Sequence, residues 1–228
     1  MPGATHENAS RHLTVRDAYD LWAESYDAQD NPMVLGATQI LAHRLPDLAG
    51  QAVVEFGCGT GRNLLALTQA GAARVAGVDL SPGMLAQARV RVPQASLYEG
   101  DFAAAPVPAR AFNVALFCLA LEHAAELHGP LAAGKRALGD GGRILAIEIH
   151  PALSEGGVGA HFERDGETIR MPAFAHRMAD YEEAATAAGL RRVRTKDWRP
   201  RDFARTSPRM LKRGPDANLL IELEFALA

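Results

Sequence analysis

The chain has 228 residues, 48% of them hydrophobic, and a formal net charge of −3. That length can bury a substantial core in one domain, and the modest charge advertises neither a nucleic acid nor an anionic membrane as partner. No apolar run approaches the roughly 20 residues a membrane span needs. The opening MPGATHENASRH lacks the basic start and apolar stretch of a secretion signal. Cys58 and Cys118 both sit among apolar residues, which suits a reducing compartment, so the expected location is cytoplasmic. Two thiols without histidines at ligand spacing argue against a structural zinc site.

In chain order, YDLWAESYD at 19–27 reads as helix within an N-terminal cover, residues 1–45. Strand-length apolar runs then recur: AVVEF at 52–56, RVAGVDL at 74–80, a weaker ASLYEGD at 95–101, FNVALFCLAL at 112–121 and RILAIEIH at 143–150. Between them, residues 62–71, 81–91 and 122–139 are rich in Ala and Leu at helical spacing. Ser81-Pro82 sets a helix start, and Gly71 and Gly139 stand where helices should stop. Strands alternating with helices, and apolar on both faces, predict a doubly wound parallel α/β sheet. After His150 comes a Gly-rich insertion, 151–177, in which Asp165-Gly166 predicts a two-residue hairpin turn. A helix over 178–190 follows, ending at Gly189, and two strands over 190–198 and 219–227 complete one domain, 1–228. In the last strand Glu222 and Glu224 alternate with Ile221, Leu223 and Phe225, the pattern of an edge or half-exposed antiparallel strand.

The stretch VVEFGCGTGRN at 53–63 carries three glycines at alternate positions directly after a strand. Glycine there permits positive φ and lets backbone approach a ligand with no side chain between. The following helix N-terminus points free N–H groups at the same place. A tight turn alone would account for fewer glycines. The third glycine falls one residue early for the dinucleotide fingerprint, and Arg62 follows it. Glu55 precedes the loop, a carboxylate that would repel pyrophosphate but attract an ammonium. Asp79 ends the second strand at the interval that suits ribose hydroxyls, and Asp101 closes the third. A nucleoside without phosphates fits this set.

EFGCGTG, GVDLSPGML, YEGDF, FNVALFCLALEH and LGDGGRILAIEIHP, in that order, resemble the class I S-adenosylmethionine-dependent methyltransferases. The resemblance implies a Rossmann-like seven-stranded, mostly parallel sheet with its last strand antiparallel, and S-adenosyl-L-methionine as cofactor. It implies that Gly57, Cys58, Gly59 and Gly61 line the methionine portion, with Glu55 orienting the loop and the amino group. Asp79 would bind ribose, Leu80 and Met84 would pack on adenine, Asp101 would accept from the adenine amine, and Phe102 would lie beside the ring. Cys118 and Leu119 would face the methionine chain, and Tyr19 and Tyr26 would belong to a segment closing over the cofactor. Cys118 reads equally as a small core residue, and the two tyrosines as packing.

The expected reaction is methyl transfer to oxygen or nitrogen, ahead of carbon, of a small-molecule acceptor in specialised metabolism. An RNA or protein methyltransferase and a non-catalytic cofactor-binding subunit are the alternatives. A base is needed only where the nucleophile must lose a proton. The histidines near strand ends, His150, His123 and His176, are the candidates, with His161 in the insertion. No acidic set suggests a catalytic metal. Residues 190–213 hold ten Lys or Arg against Asp197 and Asp202, a local net of +8. Few aromatics interleave with them, so a solvated surface is expected rather than a nucleic-acid partner. The expected state is monomer or homodimer.

Overall fold

The computed structural model describes residues 10–154 and 161–228. Residues 1–9 of the expected cover and 155–160 of the expected insertion lie outside the described residues. The elements run β1 (Ser10–His12), α1 (Val15–Trp22), α2 (Pro32–Leu48), β2 (Ala52–Phe56), α3 (Arg62–Gln69), β3 (Arg74–Asp79), α4 (Pro82–Arg91), β4 (Ser96–Glu99) and β5 (Phe112–Cys118). Then come α5 (His128–Ala137), β6 (Leu138–Ile149), α6 (Pro151–Ser154), β7 (His161–Arg164), β8 (Glu167–Arg170), α7 (Met178–Ala187), β9 (Leu190–Trp198) and β10 (Leu220–Leu227).

Seven strands form the main sheet in the order β4-β3-β2-β5-β6-β10-β9, and β10 runs antiparallel to both neighbours. The chain builds outward from β2 to β4, then returns to place β5 against the other side of β2. That reversal parts the loops leaving β2 and β5 and opens a crevice at their carboxyl ends. Each face of the sheet buries its own apolar cluster. One includes Phe56 and Phe117, stacked with ring centroids 5.1 Å apart, together with Leu131 and Tyr181. The other joins Ile40, Leu64 and Leu85 to Leu116 and Ile147. Burial on both faces explains why the central strands read as unbroken apolar runs.

Local chemistry sets the element ends. Ser81 Oγ accepts from the Met84 N–H at 3.1 Å with Pro82 at the first helical position, which starts α4. The expected helix over 122–139 is shorter. A single 3-10 turn covers Leu121–His123, and α5 begins at His128, where Glu126 accepts its N–H at 2.8 Å. Gly139 does not end this helix, because it lies inside β6. The Arg110 and Ala111 N–H groups donate to the Arg136 and Ala137 carbonyls at 2.9 Å each, and that backbone contact stops α5.

The expected edge or half-exposed last strand is also corrected. β10 lies inside the sheet, β9 takes the edge, and Glu222 is 1% exposed. Arg44 of α2 accounts for it: its Nη1 is 2.8 Å from Glu222 Oε1 and its Nη2 2.5 Å from Glu224 Oε2. Trp198 Nε1 donates to the other Glu222 oxygen at 3.1 Å.

A second, three-stranded sheet has the order β1-β8-β7. The Asp165-Gly166 turn joins β7 to β8 with φ of 51° and 82°, the left-handed pair a two-residue hairpin requires. β1 pairs parallel with β8, so the N-terminal segment and the insertion make one unit. Its own cluster holds Ala18, Trp22, Phe162, Ile169 and Met171, with Trp22 and Phe162 stacked at 4.4 Å.

Candidate active site

The β2–α3 turn carries φ of 78° at Gly57, 52° at Gly59 and 77° at Gly61. These glycines do different work. A Cβ on Gly57 would come within 2.6 Å of Ala120, whereas one on Gly59 would meet nothing within 4 Å, leaving open space over the loop. Gly61 caps α3, and a Cβ there would press on Ala88 of α4 at 3.1 Å, so it sets helix packing.

Asp79, at the end of β3, ties the floor together. Its Oδ2 accepts the Gly59 N–H at 2.8 Å and its Oδ1 the Ser81 N–H at 2.9 Å. Burial pushes its carboxyl up, and the two N–H donors work against that shift. Glu55 is buried beneath the loop. Asn63 Nδ2 donates to its Oε1 at 2.7 Å, while Oε2 has no hydrogen-bond partner. Burial pushes Glu55 up to about 8, opposed by Asn63 and Arg62. Arg62, at the start of α3, has its Nε buried and equally without a partner. Two unpartnered polar atoms, one on an acid and one on a base, therefore stand at the same turn.

These residues border a cavity of about 320 Å³. Of the cofactor residues named from the sequence, Tyr26, Glu55, Gly57, Cys58, Gly59, Asp79, Leu80, Met84, Asp101, Phe102, Cys118 and Leu119 all line it, and Tyr19 does too. Gly61 does not. Asp101 lies two residues beyond β4 rather than inside a strand. Burial raises the Cys58 and Cys118 thiols, which keeps both protonated and unreactive.

Of the described histidines, His123 alone joins this cavity. Its Nε2 is 2.8 Å from the Tyr19 hydroxyl and its Nδ1 2.8 Å from the Pro172 carbonyl oxygen. His150 stands apart, with Nε2 3.3 Å from Asp197 Oδ1 and Nδ1 accepting the Ala152 N–H at 3.1 Å. His176 is buried, with Nε2 2.9 Å from the Ala124 carbonyl oxygen, where it holds a loop. His161 lines a neighbouring cavity. The sequence reading missed Arg62 and Asn63 as wall residues, although a base and an amide directly after the third glycine were the available signal. Among the described residues no cluster of three or more His, Cys, Asp or Glu could hold a metal ion, and no helix is long and apolar enough to cross a membrane.

A sheet of this order with a glycine turn and an acid ending the next strand defines the Rossmann-like fold of class I methyltransferases. Residues 53–142 match the family described as methyltransferase domain. The demethylmenaquinone methyltransferase of Tropheryma whipplei (strain Twist) is 32% identical over 149 residues, covering 60% of each chain. The chain thus spans about 60% of the length of that curated relative. Among solved structures, an S-adenosylmethionine-dependent methyltransferase from Mesorhizobium loti superposes with a TM-score of 0.69 at 20% identity, covering 85% of this chain and 99% of that one. Magnesium protoporphyrin IX methyltransferase from Synechocystis, solved with bound SAH, gives 0.64 at 21% identity, covering 94% and 98%. Residues 53–142 therefore match a methyltransferase domain, and the chain shares the fold of S-adenosylmethionine-dependent methyltransferases.

Proposed function

We propose that the main cavity binds S-adenosyl-L-methionine and that the protein transfers its methyl group to oxygen or nitrogen, ahead of carbon, of a small-molecule acceptor. The observation that carries this reading is the pair of buried, unpartnered atoms, Glu55 Oε2 and Arg62 Nε, beside the glycine turn. An unsatisfied buried polar group costs about 1–3 kcal/mol, and an amino acid's ammonium and carboxylate supply complementary partners to both. A pyrophosphate would not offer Glu55 the cation that favours its carboxylate form.

The bound sulfonium supplies an already electrophilic methyl group, so the protein's work is binding, alignment and exclusion of water. In this reading Glu55 faces the ammonium and Arg62 the carboxylate. The open backbone at Gly59 lies along the methionine portion, with Cys118 and Leu119 on the opposite wall. Asp79 takes the ribose hydroxyls while its N–H donors hold it in place. Leu80, Met84 and Phe102 enclose the adenine and Asp101 accepts from its amine. Gly61 contributes through the seating of α3 against α4.

Calorimetry and thermal unfolding with S-adenosylhomocysteine, with NAD as comparison, test the assignment. A ligand that binds only the native state raises Tm. The expected result is saturable binding and a raised Tm with S-adenosylhomocysteine and none with NAD. No heat and no shift with the adenosyl compound overturns the reading.

A further inference from the structure

A second cavity of about 170 Å³ adjoins the first, and Tyr19, Tyr26 and Leu119 stand in the walls of both. Its remaining walls combine apolar side chains, Trp22, Met33 and Ile149 among them, with polar and charged ones that include Asn31, Glu122 and Arg209. Resting on the cofactor reading above, we propose that this second cavity seats the methyl acceptor, a single-ring phenol or enol bearing a second oxygen, and that Tyr19 takes the reacting hydroxyl's proton while passing its own to His123.

Three observations carry this. The first is position: Tyr19 lies on the boundary, where an acceptor atom in one cavity would meet a methyl group delivered from the other. The second is the direction of the hydrogen bonds. A carbonyl only accepts, so His123 Nδ1 donates to Pro172 O. Nε2 is then the bare nitrogen, and the Tyr19 hydroxyl must donate to it. The Tyr19 oxygen keeps its lone pairs for an incoming O–H. The third is Trp22, whose Nε1–H is buried without a hydrogen-bond partner in a residue lining this cavity. A second oxygen on the ring would satisfy that donor. Size agrees: about half the volume of a cavity read as holding adenosine plus an amino acid leaves room for one substituted ring.

The proton balance closes. The methyl carbon's bond to sulfur breaks as its bond to the acceptor oxygen forms, leaving a neutral thioether. The hydroxyl proton moves to the Tyr19 oxygen, the Tyr19 proton moves to His123 Nε2, and the positive charge ends on the imidazolium. Tyr19 cannot act as a free phenolate, because burial and the neighbouring Tyr26, Glu122, Asp79 and Glu148 all raise its pKa. It therefore accepts a proton only as it releases one. Burial lowers His123, which keeps the imidazole neutral and receptive at pH 7, and Glu122 Oε1 stands 3.9 Å from Nε2, where it stabilises the imidazolium when ionised.

The test uses the full chain saturated with S-adenosylhomocysteine and three probes: catechol, 2-hydroxyacetophenone and 4-nitrophenol. At least one should bind by calorimetry. Met33→Trp, which fills the second cavity, should abolish that binding while leaving S-adenosylhomocysteine affinity within 2-fold; Val34→Phe serves if the first variant does not fold. With S-adenosylmethionine, Tyr19→Phe and His123→Gln should each lower kcat on catechol by about 100-fold or more, with KM nearly unchanged. Both should recover on 4-nitrophenol, which is largely ionised in mildly alkaline assay without help. The wild-type rate on catechol should fall as pH drops through the His123 pKa, and His123→Gln should lack that limb. Failure of all three probes to bind, unchanged probe binding in both cavity variants, or equal losses on catechol and 4-nitrophenol overturns the proposal. Absence of S-adenosylhomocysteine binding to the wild type overturns the cofactor reading itself and this proposal with it.

Discussion

Glu55 holds a proton at neutral pH because burial outweighs the single hydrogen bond from Asn63. Its folded pKa of about 8 lies above the ordinary value of roughly 4.3. The sign follows: its contribution to stability is complete below the ordinary value and is lost as pH rises through 8. An ammonium beside Oε2 reverses the preference and favours the carboxylate. Titrating S-adenosylhomocysteine at pH 7 in buffers of different ionisation enthalpy should therefore report release of up to one proton per site. Glu55→Gln should release none, should lose less stability than wild type between pH 5 and 8, and should bind about 10- to 100-fold more weakly, since hydrogen bonds to charged groups contribute about 1.5–3 kcal/mol. Equal proton release in the variant would mean that another group faces the ammonium.

The unit built from β1, β7, β8 and α1 packs around its own small cluster, separate from the two clusters of the main sheet. Phe→Ala in a core typically costs about 3–5 kcal/mol, and at Phe162 that loss should stay local. Phe162→Ala is expected to speed hydrogen exchange over 10–22 and 161–170 while leaving β2 and β5 unchanged, and to weaken S-adenosylhomocysteine binding through Tyr19 and Tyr26. Uniform acceleration across the main sheet would show instead that the unit is part of the global core. Little of this unit was legible in the sequence. The hairpin was, because Asp165-Gly166 is a local signal, but the parallel pairing of Ser10 with Thr168 leaves no local trace. By the same logic the main strands read correctly from their apolar runs, and Asp79 and Cys118 at strand ends line one cavity with the glycine turn. The Tyr19–His123 bond spans 104 positions, and the burial of Glu222 depends on Arg44 in a helix 178 positions away. Gly139 misled because a stop can be imposed by neighbouring backbone as well as by glycine.

Across the described residues, many charged side chains are paired with the protein's own groups. Removing Arg44 would leave Glu222 buried with less compensation, and breaking such a pair costs about 3–5 kcal/mol. Arg44→Met should lower Tm by roughly 10 °C without changing S-adenosylhomocysteine affinity well below the transition. The basic stretch 190–213 follows the same pattern. Arg192 pairs with Glu182 at 2.7 Å, Arg194 lies 3.5 Å from Glu222, Arg201 pairs with Asp216, and Arg209 donates to the Asp30 carbonyl at 2.8 Å. Lys196 sits over the Trp198 ring at 3.5 Å. With those cations engaged by the protein's own groups, a small acceptor should bind almost independently of salt. A protein making six to ten phosphate contacts loses about 10³–10⁵ in affinity between 50 and 200 mM salt. Over that range the affinity for a bound phenolic probe should change by less than about 3-fold. A polyanion whose binding falls steeply over the same range, with the slope removed by reversing the charges of Arg191, Arg205 and Lys212, would instead make this surface the seat of a polyanionic acceptor.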